Sequence, residues 1–430
     1  MAVLTAPSAV LGPTREEERI EILDVLRGFA LFGILLVNML AFNQVMMAAA
    51  VVSLPDENRI DRIATWLIRW LAEGKFYSLF SLLFGLGFMI QMMRAEARGR
   101  RFVPVYLRRS LVLLAIGVLH GVLIWVGDIL AIYAVLGVVL LLFRHMRPRG
   151  LLIWAVVLLS LTTLLMAGST LLLDFGRQDP AAAAQIDAMF AEQRATLLQE
   201  IERASTIYAT GSYAEITAQR APEFAKMWLT SIFIFPNVFA MFLIGAYFAK
   251  RGILADLESH RGLLRHLCLW GLGLGLPLNA VYATLFMSQG LSRMEPSWPL
   301  VVATGSQAAG APLLALGYAA GLALLWMQPV RQPRLRLLAP PGRMALTNYL
   351  LQSLIATFIF YGYGLGLFGR LGAAVGVVIT LLIYAFNVAL SHWWLRRYRF
   401  GPVEWLWRTL TYGQPQPMRR AAPPPSLASS

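Results

Sequence analysis

Of 430 residues one is cysteine, five are histidine and only 14% carry charge. The lone Cys268 excludes an intrachain disulfide and a thiolate metal cluster, and within its apolar segment it reads as filler. The scarcity of charge excludes a water-soluble core, because 58% of the residues are hydrophobic and mean hydropathy is +0.63. Such a composition belongs to a polytopic membrane protein. Acids are scarcer than bases, 23 against 37, yet the excess does not point to nucleic acid. The basic residues fall in short clusters between apolar runs, the pattern of cytoplasmic loops. A cleavable leader is not expected either: Arg15-Glu16-Glu17-Glu18-Arg19 precedes a full-length apolar span rather than a short apolar core with a small-residue cleavage site. The first helix therefore reads as a retained anchor.

At about 20 apolar residues per crossing, an all-α bundle of ten transmembrane helices is expected, over 22–44, 76–93, 108–125, 128–143, 150–173, 227–249, 263–287, 300–327, 345–368 and 371–394. With the N-terminus inside, inner segments carry 25 of the 37 Lys and Arg, outer ones 11, and Arg27 lies within a span. Both termini are thus expected to be cytoplasmic. The chain divides into an N-terminal five-helix half (1–173), an external amphipathic helical segment (174–226), a C-terminal five-helix half with an interfacial helix (227–413) and a disordered tail (414–430). Asn58 to Leu71, with Trp66 and Trp70, reads as a further interfacial stretch at the outer face. Pro236 and Pro312 are expected to break their helices locally. No internal repeat joins the two halves.

In the first span an acid, an arginine and an amide share one face. Asp24 lies three residues before Arg27, and Asn38, eleven residues after it, returns to within about 20° of it, roughly 16 Å along the axis. An arginine at that depth costs roughly 2.5 to 3.5 kcal/mol unless paired. Snorkelling would account for Arg27 and Asp24 but leave Asn38 without a role. A second constellation is Gly117, His120, Gly121, Gly127 and Asp128. Gly127 and Asp128 should form a tight reversal in which the acid caps the next helix. His120 lies about two turns below, between glycines that admit a neighbouring backbone. A histidine in a span is a functional candidate, the alternative being a neutral imidazole bonded across helices. Lys75, Ser78 and Ser81, then Arg343, Thr347, Asn348 and Gln352, add polar faces to an interior cavity.

Leu23-Asp24-x-x-Arg27-Gly28 with Gly33 and Asn38, Glu73-Gly74-Lys75 through Phe84-Gly85-x-Gly87, Gly127-Asp128 through Tyr133, Gly342-Arg343 through Thr347-Asn348-Tyr349, and Gly401-Pro402-x-Glu404-Trp405 together resemble the YeiB family of bacterial membrane proteins, carriers of the domain of unknown function 418. The first helix is also similar to those of membrane acyltransferases, the acyltransferase-3 proteins and heparan-alpha-glucosaminide N-acetyltransferase. That resemblance implies transfer of an acyl group from cytoplasmic acyl-CoA to an acceptor hydroxyl or amine reached from the other side. The sequence departs from it at one position: Asn38 stands where acyltransferase-3 proteins carry a catalytic histidine, and no histidine precedes His120.

The resulting expectation is an inner-membrane protein with His120 as general base, oriented by Asp128. Asp24, Arg27, Asn38, Lys75, Arg343 and Asn348 would receive the anionic donor. No metal and no tightly bound cofactor are expected, acyl-CoA being a co-substrate. The expected partners are the lipid bilayer, acyl-CoA and an unidentified acceptor, without nucleic acid, and a homodimer is compatible with the sequence. The competing class is a transporter or flippase, whose intramembrane charges would line a substrate path.

Overall fold

The computed structural model describes residues 19–46, 48, 58–290 and 294–420. Among them there is no strand, only one isolated bridge between Tyr398 and Arg419. The architecture is an all-α polytopic bundle. Its first half holds α1 (Glu21–Phe42), α2 (Arg59–Leu71), α3 (Lys75–Ala97), α4 (Val103–Leu123), α5 (Leu130–Leu140) and α6 (Pro148–Gly176). Two helices follow in the expected external segment, α7 (Pro180–Thr210) and α8 (Tyr213–Thr230). The second half comprises α9 (Phe235–Arg251), α10 (Arg261–Gln289), α11 (Trp298–Trp326), α12 (Ala345–Phe360), α13 (Ala373–Arg397) and α14 (Pro402–Tyr412).

Each of the ten expected crossings holds a helix, but length and composition license fewer spans. Among the described residues seven helical stretches are long and apolar enough to cross, counting α2 and α3 as one. An eighth results if α8 and α9, bent by 67°, form one broken span. Helices α5 and α12 are shorter apolar helices. The bend falls where Pro236 opens α9, since proline lacks the N–H that a continuous helix would need. At Pro312 the expected break does not occur: α11 runs unbroken through it.

Helix α9 is the centre of the core. Val238 to Ala246 are buried continuously against α3 and α6, so this helix is apolar on every side. The helix ends sort into two sets. At one end the starts of α1 and α4 meet the ends of α3 and α13, and Lys250 on α9 donates to the Met146 carbonyl at 2.8 Å. At the other, Gly369 N–H donates to the Asn43 carbonyl at 2.8 Å, Asp61 accepts from Ala374 N–H at 2.9 Å, and Gly362 N–H donates to the Tyr208 carbonyl at 2.8 Å. Both tryptophans of α2 bond to α10, Trp66 to the Thr284 hydroxyl at 3.1 Å and Trp70 to the Leu276 carbonyl at 2.8 Å.

Residues 414–420, assigned above to a disordered tail, are held in place. The Trp405 indole donates to the Gln416 carbonyl at 2.7 Å, and Arg399 N–H donates to the Met418 carbonyl at 2.9 Å. Residues 421–430 of that tail, and Arg15 to Glu18, lie outside the described residues.

Candidate functional site

A cavity of about 410 Å³ opens among the helix ends of the first set. Its mouth is cationic: Arg19 comes from just before α1, Arg27 from α1, Arg94 from the end of α3, Arg109 from α4, and Arg343, Arg399 and Arg408 from the second half. Only Asp24 and Glu404 oppose these seven arginines among its lining residues. Deeper in, the walls become apolar and aromatic, with Leu31, Leu83, Phe84, Tyr133 and Tyr349. Such a surface can receive an anionic head with an apolar extension.

Asp24 organises the mouth. Its carboxylate is 2% exposed and pairs with both Arg19 and Arg27, the latter through Nη1 at 3.0 Å. The i,i+3 spacing on α1 brings acid and arginine together, as the sequence implied. Close packing fixes the helix that carries them. A Cβ on Gly28 would run into the Leu338 carbonyl, and one on Gly342 into the carbonyl of Asp24 itself. The short helical turn Ala339–Arg343 therefore lies backbone to backbone on α1 and delivers Arg343 to the cavity.

The C-terminal helix closes the remaining side. Glu404 accepts the backbone N–H groups of Leu346 and Thr347 at 2.7 and 3.0 Å and the Thr347 hydroxyl at 2.5 Å, capping α12 from another element. Burial pushes its carboxyl above the ordinary range, against the pull of those donors. Trp407 donates its indole N–H to the Arg109 carbonyl at 3.0 Å, and the Arg109 guanidinium lies over the same ring at 4.0 Å. Burial, with the Arg109 charge beside it, brings Arg408 down to about 10. The arginines at this mouth repel one another, so an entering anion would relieve them.

His120 and Asp128 lie beyond the cavity's apolar end. The imidazole donates from Nδ1 to Asp128 Oδ2 at 2.8 Å, and Asp128 Oδ1 accepts Ala131 N–H at 2.8 Å at the start of α5. The reversal thus folds back onto the histidine, and the acid both caps and orients. A Cβ on Gly117 would collide with the Ala131 backbone nitrogen, so that glycine permits the approach. With Nδ1 protonated toward the carboxylate, Nε2 presents a lone pair, and it is buried without a partner. His120 is 2% exposed and does not line the cavity. Tyr349 stands between: its ring lies 5.1 Å from the imidazole, its hydroxyl donates to the Gly127 carbonyl at 3.2 Å, and the same residue lines the cavity.

Other expected site residues lie elsewhere. Asn38 is half-buried on α1 and outside the cavity lining. Lys75 is fully buried at the opposite end of α3, its ammonium donated to the Arg69 carbonyl at 2.7 Å. Asn348 is buried in a structural role, donating to the Pro341 carbonyl and the Ser391 hydroxyl at 3.1 and 2.9 Å. Sequence reasoning missed Arg19, Arg94, Arg109, Arg399 and Arg408, which it counted among the inner-segment charges, and Glu404, which entered only as part of the motif Gly401-Pro402-x-Glu404-Trp405. Among the described residues no three His, Cys, Asp or Glu side chains come together as a metal site requires.

Residues 248–414 match the family model "Protein of unknown function (DUF418)". The chain is similar to "Uncharacterized protein YxaH" of Bacillus subtilis (strain 168), with 37% identity over 95% of this chain and 98% of that protein. It is 30% identical to an "Uncharacterized 39.9 kDa protein in amylase 3'region" of Bacillus acidopullulyticus, over 95% of this chain and 98% of that protein. "Uncharacterized protein YeiB" of Escherichia coli (strain K12) is 32% identical over 92% of this chain and 96% of its own. No solved structure matches.

Proposed function

Because the chain belongs to the DUF418, or YeiB, family of integral membrane proteins, we propose from its cavity that it is a bacterial inner-membrane acyltransferase drawing on cytoplasmic acyl-CoA. The observation that carries this reading is the single cavity wall that passes from seven arginines to an apolar, aromatic depth ending on Tyr349, against which His120 rests. The phosphates of the donor suit the arginines, and its pantetheine arm and acyl chain suit the depth. On this reading both termini and the arginine mouth are cytoplasmic, and the acceptor arrives from the opposite side. The acceptor oxygen or nitrogen attacks the thioester carbon while its proton passes to His120 Nε2. The carbon–sulfur bond then breaks, and the thiolate leaves with that proton. Asp128 keeps the imidazole in the tautomer this requires. Rotation of Tyr349 would open donor and base to each other.

A second reading is favoured by the 2% exposure of His120: the same cavity would bind or move an anionic amphiphile without reacting with it, as in a transporter or flippase.

Calorimetric titration of the detergent-purified protein with palmitoyl-CoA, together with a thiol-release assay, separates the two. Arg27→Ala should weaken binding by about tenfold or more, roughly 1.4 kcal/mol, and Arg27→Lys by less. His120→Ala should leave binding nearly unchanged and abolish thiol release. A wild-type protein that does not bind palmitoyl-CoA overturns the acyl-CoA reading, and binding without thiol release, either to water or in the presence of a bacterial membrane extract that supplies acceptors, leaves only the second.

A further inference from the structure

A second cationic group lies beyond His120, on the side away from the arginine cavity. Arg220 on α8, within the segment read as external and amphipathic, is completely buried. Its Nη1 donates to the Val122 carbonyl at 3.4 Å, two residues beyond His120, while Nε and Nη2 have no hydrogen-bond partner. Among the described residues no carboxylate lies within ion-pairing distance of it. The nearby Glu223 is engaged by the Tyr208 hydroxyl at 2.6 Å and by Gln219 at 2.8 Å. The guanidinium instead sits over the Tyr361 ring at 5.5 Å. Burying a cation in this condition is strongly unfavourable unless something supplies the missing acceptors.

Neighbouring groups share the deficit. Phe224, one turn along α8, fills the space left by Gly121, so α8 is docked on the same turn of α4 that carries His120. Trp125 follows that turn with its ring 6.5 Å from the imidazole, and its indole N–H is buried without a partner. Gln352, one turn beyond Tyr349 on α12, has an unpartnered buried Nε2. The unsatisfied groups on Arg220, Trp125 and Gln352 are donors, and His120 Nε2, with Nδ1 protonated toward Asp128, is an acceptor.

We propose that α8 and the last turn of α4 enclose a second site, in which Arg220 binds a carboxylate or phosphate group of the acceptor so that its hydroxyl or amine faces His120. This rests on the acyl-transfer reading for the word acceptor, but the anion site itself does not depend on it. Thermal melting of the purified full chain tests it with inorganic phosphate and with acetate, chloride at matched ionic strength being the control. Phosphate or acetate should raise the melting temperature of the wild type more than that of Arg220→Met, the larger increment telling which group the site prefers, because a ligand of the native state stabilises in proportion to its occupancy. Arg220→Met without ligand should still melt cooperatively, so that its anion increment can be read against that of the wild type. Equal anion increments in the two proteins, or an increment that chloride reproduces, overturn the proposal. If Arg220→Met does not fold, Arg220→Lys keeps the charge without the planar fork and must show a smaller increment than wild type; an equal one overturns it. A protein that fails to bind palmitoyl-CoA but keeps the Arg220-dependent increment loses the donor reading and retains this site.

Discussion

Asp24 balances two arginines with one carboxylate, and its substitution is the sharpest test at the scale of a single residue. Asp24→Asn should lower stability by about 1 to 3 kcal/mol, below the cost of breaking a fully buried pair, because the arginine side chains stay 31% and 29% exposed. Denaturant melts of the two proteins in the same detergent check this, and an unchanged midpoint would assign the pair no structural weight. How much could be read from residue identities depended on sequence distance. Asp24 with Arg27 and His120 with Asp128 are local pairs, one set by helical spacing and the other by a short reversal, and both were visible. The convergence of Arg94, Arg109, Arg399 and Arg408 on one mouth was not, because it is created by tertiary packing between segments hundreds of residues apart. Lys75 shows the converse: a polar residue on a plausible face, carried by the rise of α3 to the far end.

At the scale of the element, the close crossing of α1 with the turn Ala339–Arg343 is the feature on which the mouth depends. Gly342→Ala forces a methyl group into the Asp24 carbonyl, and the overpacking should cost about 1 to 3 kcal/mol while displacing Arg343. A fall in melting temperature together with weaker palmitoyl-CoA binding is expected, and a variant equal to wild type in both would show that the crossing can relax. Pro312 and Pro236 illustrate why helix interruptions are hard to read from proline alone. The first is accommodated within a continuous α11, while the second stands at the start of α9, where its missing N–H is not needed.

For the whole molecule, the packing places the arginine mouth at one end and the contact of Tyr208 on α7 with Gly362 at the other, and the charge alternation along the chain predicts that these two ends face opposite sides of the membrane. Reporter fusions at residues 200 and 420 should therefore give opposite sidedness, and the same sidedness would refute the topology. The molecule also has a temporal order built into its connectivity. Arg19, Arg27, Arg94 and Arg109 all lie in the segment that ends with α4, whereas Glu404 and Trp407, which close the mouth and hold Arg109, follow it only after both membrane halves. A nascent chain threading into the bilayer thus carries an unfinished cluster of like charges through most of its translation. Only when the ribosome has passed α14 can that cluster be sealed, so the mouth is completed after every helix that frames it has been made.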